Sequence, residues 1–344
     1  MNTLMINDTT NLIHAARIVK DGGLVAAPTE TVYGLCANAL DSEAVSKIFV
    51  AKGRPSDNPL IIHISSLDML SPLVKFIPPT AKILMDHFWP GPLTLIFEAT
   101  DLVPSIVRAG LPSVAIRFPS HPIMQKLITL SGVPIAAPSA NTSGKPSPTN
   151  ARRVKDDLEG KIDAIIDGGD CEVGLESTVV DLTGDIPTIL RPGGVTKTML
   201  EKVIGDVVLD PALVSPDDSL IPKAPGMKYT HYSPNAQVII FKGSEEKVIK
   251  AINEHIEKDM SLGKKVGVLA TDETKDAFLT SNVISLGSIH HLEAIATHLF
   301  EALRTFDDNN IDIVYSLAFP EEGIGKAIMN RLEKSAGFNI IHKH

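Results

Sequence analysis

Two cysteines, Cys36 and Cys171, are all that 344 residues contain, and they form no CxxC pair. A disulfide framework and a structural zinc site are therefore not expected. No run of about 18 or more apolar residues occurs, so no transmembrane helix is expected. Met1 to Asp21 lacks a basic stretch followed by an apolar block, which argues against a secretory leader. A cytoplasmic, membrane-free protein is the expectation. Basic excess is also missing. The formal net charge is −9, which disfavours broad, non-specific nucleic-acid binding but leaves room for a local basic pocket. There is no GxxxxGK[ST]. No GxGxxG follows a strand either, since Gly323 and Gly325 are followed by Ile328 where the third glycine belongs. HExxH and GxSxG are absent, which counts against zinc hydrolases and α/β-hydrolases. The pair His290-His291 has no further ligand set around it and reads as a surface feature at a helix start.

What is present is an ordinary globular balance, 44% hydrophobic and 21% charged, in a chain long enough for two domains. The first two-thirds alternate strand and helix patterns. Strand candidates are Leu24 to Ala27, Leu60 to Ile64, Leu93 to Phe97, Ser113 to Phe118, Val133 to Ala137, Thr178 to Leu182 and Thr188 to Arg191. Asp41 or Ser42 can cap a helix with Ala44, Val45, Ile48 and Phe49 on one face, and Thr80 opens another through Phe88. From Val207 to Asn235 the texture changes to five prolines without helical period, which reads as a linker lying against the surface. Beyond it, Gln237 to Phe241, Lys265 to Ala270 and Ile311 to Ala318 read as strands. Between and after them come helices capped by Ser244, over His291 to Leu303, and over Ile324 to Ser335. That alternation argues a small parallel sheet.

Four segments carry polar residues in apolar, Gly/Pro-rich surroundings. The first, Pro28 to Leu35 (PTETVYGL), reads as a strand-exit loop, where ligand sites in open α/β sheets collect. In the second, Lys52-Gly53-Arg54-Pro55, two cations form a stiff corner ahead of Asn58-Pro59, and arginine's planar fork suits phosphate. Lys52 also suits a helix C-terminus. In the third, Ser113 to Phe118, period two sets Ser113, Ala115 and Arg117 on one face. Arg117 needs an anion, because a buried unpaired charge is very costly. A protein carboxylate or a ligand carboxylate could supply it. The fourth, Ala136 to Thr149, is dense in hydroxyls, amides and backbone N–H groups able to cradle phosphate oxygens without a P-loop.

Taken in order, these segments resemble the threonylcarbamoyl-AMP synthase family, whose catalytic domain has the YrdC-type fold. The KxR…SxN signature is present as Lys52, Arg54, Ser139 and Asn141. PTETVYGL, NPLIIHI, FWPGPLT, VAIRFP, PSANTSGKPSPT, Glu176 to Val180, and Arg191-Pro192-Gly193 follow the family's order. Ala224 to Pro234 looks like the linker of the long, two-domain form, so the resemblance spans essentially the whole chain. It implies a twisted open α/β catalytic domain over residues 1–206, a proline-rich linker over 207–235 covering the site, and a Rossmann-like domain over 236–344. It implies that L-threonine takes up bicarbonate, that the carbamate attacks the α-phosphorus of ATP, and that the product feeds a separate tRNA t6A transferase, with room for a weak tRNA contact. Carried over by motif, Thr31, His63, Arg117, Ser177 and the backbone at Ala137 would surround threonine. Arg54, Asn58, Ser113, Ser139, Asn141, Ser147 and Arg191 would hold ATP. Lys52 would neutralise phosphate charge, and Tyr232 with Ser233 would reach ATP from the linker. Mg²⁺ would be held mainly by the phosphates, with no protein metal site and no organic cofactor.

Two other readings compete. An RNA-binding module fits a local basic face extended by Arg152, Arg153 and Lys155, but not the net acidity or the lack of RNP-like aromatics. A carbamoyl-transfer enzyme of hydrogenase maturation would carry zinc-finger cysteines that this chain does not have.

Overall fold

The computed structural model describes residues 2–7, 11–213 and 232–343. The central stretch assigned to the linker, 214–231, lies outside the described residues. Two compact units result: Met1–Ser143 with Ser147–Tyr229, and Gly144–Pro146 with Thr230–His344.

The first unit is built on one mixed sheet. Its strands are β1 (Leu4–Ile6), β2 (Val25–Ala27), β3 (Gly34–Asn38), β4 (Ile61–His63), β5 (Leu93–Glu98), β6 (Ser113–Arg117), β7 (Ile135–Ala136), β8 (Ala164–Ile166), β9 (Thr178–Asp181), β10 (Thr188–Arg191) and β11 (Val208–Leu209). They lie in the order β1-β8-β2-β3-β7-β4-β6-β5-β9-β10-β11. Strand β6 is an interior strand, parallel to β4 and antiparallel to β5. Alternation along β2 explains the layering. Val25 and Ala27 enter one buried apolar cluster and Ala26 the other, so both faces are packed.

PTETVYGL is only partly a loop. Gly34 starts β3, which pairs antiparallel with β2, so Pro28 to Tyr33 connects two adjacent strands. Gly-Leu-Cys-Ala-Asn has little intrinsic strand preference, and burial between neighbours holds it extended. Val208 and Leu209, at the start of the expected linker, pair instead with β10 as an edge strand.

The helix Ser42–Lys52 sets the basic corner. The Asp41 side chain accepts hydrogen bonds from the N–H groups of Glu43 and Ala44, satisfying donors that a helix start leaves open. Gly53 ends the helix at φ 62°, a conformation that glycine adopts without strain. The chain turns there, directly between Lys52 and Arg54.

The second unit holds β12 (Gln237–Gly243), β13 (Val266–Ala270), β14 (Asn282–Ser285), β15 (Ile313–Leu317) and β16 (Ile340–Lys343), in the order β14-β13-β15-β12-β16. All pairings are parallel, and the helices Glu245–Ser261, Leu292–Asp308 and Gly325–Ser335 connect them. Strands β14 and β16 carry no clear alternation and escape the sequence pattern. Ser244 occupies the cap position, but its side chain makes no capping hydrogen bond. Gly325 has a packing reason. A Cβ there would stand 1.9 Å from the Pro320 carbonyl oxygen, so this glycine allows a close backbone approach.

Candidate active site

Three neighbouring strands bring one row of side chains together. Register pairs His63 on β4 with Arg117 on β6, and Arg117 with Thr94 on β5. Directly opposed residues share a face, so His63, Arg117 and Thr94 project to the same side. All three are buried.

Arg117 is 4% exposed. Its Nε donates to Gly91 O at 3.4 Å and its Nη1 to Thr31 Oγ1 at 2.8 Å. Glu30 Oε1 lies 2.8 Å from Nη2 as an ion pair. The protein carboxylate is therefore present, on the loop between β2 and β3. Yet Nη2 and Glu30 Oε2 are both buried without a hydrogen-bond partner among the described residues. The two charges are close but not aligned, and Nη2 keeps N–H groups for another acceptor. Buried polar groups in native structures are nearly always satisfied, so this orphan donor points to a ligand. Burial pushes the Glu30 carboxyl up, but the Arg117 charge and the hydrogen bond from Ser120 N–H outweigh this and leave it below the usual carboxylate range.

His63 contacts Ile61 O through Nδ1 at 3.2 Å. Burial, and then the Arg117 charge, lowers its pKa to about 3, so the imidazole is neutral at ordinary pH. Ser177 is fully buried. Its hydroxyl lies 2.7 Å from Thr94 Oγ1 and accepts from Arg191 Nη2 at 3.1 Å, and its carbonyl accepts from Arg191 Nε at 3.0 Å. Ala137 N–H donates to Ile61 O, which fixes that backbone beside β4.

A second group gathers the signature residues. Lys52 is 2% exposed. Its ammonium donates to Ser139 O, to Asn141 O at 2.6 Å and to Asn141 Oδ1 at 3.4 Å. Ser139 Oγ donates to Asn141 Oδ1 at 2.5 Å, and Ser143 N–H donates to Lys52 O. Lysine and loop thus form one knot, with a buried positive charge at its centre. Arg54 Nη2 donates to Pro59 O at 3.2 Å and Asn58 O at 3.4 Å. Among the described residues, Asn58 Oδ1 is buried without a hydrogen-bond partner. Ser147 Oγ donates to Glu176 Oε1. Ser113 opens β6, four residues before Arg117, or about 13 Å away along the strand. Tyr232 and Ser233 belong to the second unit. The Tyr232 ring stacks on Phe300 at 5.1 Å under the Arg331 guanidinium, and Ser233 N–H donates to Gly144 O. Among the described residues, no group of three or more His, Cys, Asp or Glu side chains could hold a metal ion.

The comparisons with known proteins agree along the whole chain. A family model for Sua5, YciO and YrdC proteins, described as telomere recombination, matches residues 17–193. A model described as threonylcarbamoyl-AMP synthase, C-terminal domain, matches 195–337. A threonylcarbamoyl-AMP synthase of Pyrococcus abyssi is 50% identical, with 95% of this chain and 94% of that protein covered. One from Bacillus subtilis is 48% identical, covering 98% and 96%. This chain belongs to the YrdC-type threonylcarbamoyl-AMP synthase family. A solved structure of P. abyssi Sua5 complexed with L-threonine superposes on it with a TM-score of 0.94 at 48% identity, covering all of both chains. A threonylcarbamoyl-AMP synthase fold of the long form is therefore what the two units represent.

Glu30, Thr94 and Glu176 lie inside the quoted motifs PTETVYGL, FWPGPLT and Glu176 to Val180, but the sequence assigns none of them a role in this site. Glu30 lies 87 positions from Arg117, so the sequence does not show the ion pair between them. That Thr94 faces Arg117 follows only from the register of β5 against β6, which one sequence does not supply.

Proposed function

We propose that this protein makes L-threonylcarbamoyl-AMP from L-threonine, bicarbonate and ATP, releasing pyrophosphate and water, as a step toward t6A37 in tRNA. The observation that carries this reading is the buried Arg117 guanidinium with an Nη2 still lacking an aligned acceptor. An amino-acid carboxylate is the anion that fits it, since arginine's planar fork suits carboxylate. The threonine complex of the 48% identical Sua5 supports the same substrate.

Each side chain has a task in that chemistry. Arg117 and Thr31 take the carboxylate end of threonine, and neutral His63 with Ser177 faces the rest, bounded by the Ala137 backbone. The hydroxyl of threonine needs a polar partner, which gives stronger discrimination than a methyl pocket alone. Arg54, Asn58, Ser113, Ser139, Asn141, Ser147 and Arg191 take ATP, and Lys52 holds the phosphate-side loop while contributing its charge. Threonine's nitrogen forms a bond to the bicarbonate carbon, expelling water. A carbamate oxygen then attacks the α-phosphorus, and the bond to the pyrophosphate oxygen breaks. Such transfers depend on placement and charge stabilisation more than on a protein nucleophile, which suits a site without an activated serine or cysteine. Burial raises the thiol pKa of both Cys36 and Cys171 well above the ordinary value. Mg²⁺ belongs with the ATP phosphates in this reading, and the product passes to a separate transferase in the cytoplasm.

The test is direct. Protein incubated with ATP, threonine and ¹³C-bicarbonate is expected to yield a labelled threonylcarbamoyl adenylate by mass spectrometry. An unlabelled adenylate, or none, would refute the reaction.

A further inference from the structure

We infer that Glu30 is a positioning residue for amino-acid recognition: it holds the Arg117 guanidinium at the one orientation in which Nη2 stays available to the substrate. The inference rests on the assignment of Arg117 to the amino-acid carboxylate.

The geometry is specific. Three acceptors surround the guanidinium: Gly91 O at Nε, Thr31 Oγ1 at Nη1 and Glu30 Oε1 near Nη2. Glu30 is the only charged one. It attracts Nη2 at 2.8 Å without the alignment of a hydrogen bond, so it fixes the group in place and leaves the N–H groups free to be used. A long-stemmed arginine has many rotamers, and a guanidinium held by two neutral acceptors alone could swing. Glu30 itself cannot swing. Its Oε1 accepts the Ser120 N–H at 3.1 Å, and its carbonyl accepts the Val173 N–H at 2.8 Å. Its neighbours lock the loop: Thr29 Oγ1 lies 2.8 Å from Thr31 Oγ1 and accepts the N–H groups of Thr31 and Val32. The same loop thus carries both Thr31 and Glu30 to Arg117, and the ion pair is buried, at 4% and 5% side-chain exposure. Misplacement of a binding group by about 1 Å is enough to cost large factors in rate.

The experiment measures steady-state KM for threonine and for ATP, with kcat, in Glu30→Ala, Glu30→Gln and Arg117→Ala. Glu30→Ala removes the anchor and is expected to raise the threonine KM about tenfold or more, with the ATP KM and the kcat at saturating threonine within about threefold. Glu30→Gln keeps an oxygen for Ser120 and Nη2, so its threonine KM should lie between wild type and the alanine variant, at least about threefold above wild type. A purely structural carboxylate would lower the folded, active fraction, and so kcat, while leaving the threonine KM alone. If Glu30→Ala does not fold, Glu30→Gln decides. Threonine KM within twofold of wild type in the Glu30 variants, while Arg117→Ala raises it, overturns this inference and spares the assignment of Arg117. An unchanged KM in Arg117→Ala overturns the assignment itself.

Discussion

Arg117 lies on an interior strand of the sheet with its charge out of water and only part of its donor set aligned. Its unmet N–H groups need an acceptor, and truncating it should remove most of the carboxylate recognition. Arg117→Ala is expected to weaken threonine binding by about 2–5 kcal/mol, the range for breaking one side of a buried charge pair. Calorimetry with threonine checks this, and near-normal affinity contradicts it. Valine should be rejected more strongly than serine as a substrate, because an unfilled hydroxyl site discriminates more than a missing methyl. Relative kcat/KM for the two analogues measures it. His63 gives a pH signature. Its folded pKa of about 3 lies below its ordinary value of 6.5. Between those values the unfolded chain binds a proton that the native one refuses, so stability rises with pH across that window. The stabilisation is complete above about pH 6.5 and falls by at most about 1.4 kcal/mol per pH unit toward pH 3. His63→Gln should flatten that part of the slope, read as the urea midpoint at pH 6 against pH 4.5. An unchanged slope would contradict it. Arg117 was legible from period two alone, because one cation on a face of small residues is conspicuous. Its two candidate anions could not be separated that way. The structure supplies the protein carboxylate and, beside it, the donor that the carboxylate leaves unaligned.

The helix Ser42–Lys52 joins local signals to the site. Asp41 caps it, Gly53 turns the chain, and Lys52 at its end ties residues 139–143 into place. Sequence shows the cap and the cation. It does not show that the ammonium spends its donors on three acceptors of the Ser139–Asn141 segment, because that contact spans almost ninety positions. Lys52→Met removes the charged donor from the carbonyl oxygens of Ser139 and Asn141, at roughly 1–3 kcal/mol each. It should therefore destabilise the first unit by about 2 kcal/mol or more and weaken ATP binding, which chemical denaturation and a nucleotide titration would both register. Asp41→Ala should cost only about 1 kcal/mol and leave the ATP affinity near wild type. Elements such as β3, β8, β14 and β16 were not legible because they are short and lack alternation. Neighbouring strands, rather than their own residues, keep them extended.

For the whole molecule, the two-domain alternation was readable from hydrophobic period and proline punctuation, and the family follows from nearly full-length similarity to threonylcarbamoyl-AMP synthases. The interleaved order of the eleven-stranded sheet was not readable, since strands distant in sequence become neighbours there. The net charge of −9 counts against broad nucleic-acid binding, whereas Lys52, Arg117 and Arg191 are buried cations within the first unit. The most direct test of that account is pyrophosphate release from ATP, measured with threonine and bicarbonate each present or withheld. Release that requires both together is the predicted result. Release that is indifferent to either one, or no release alongside tight tRNA binding, would contradict it.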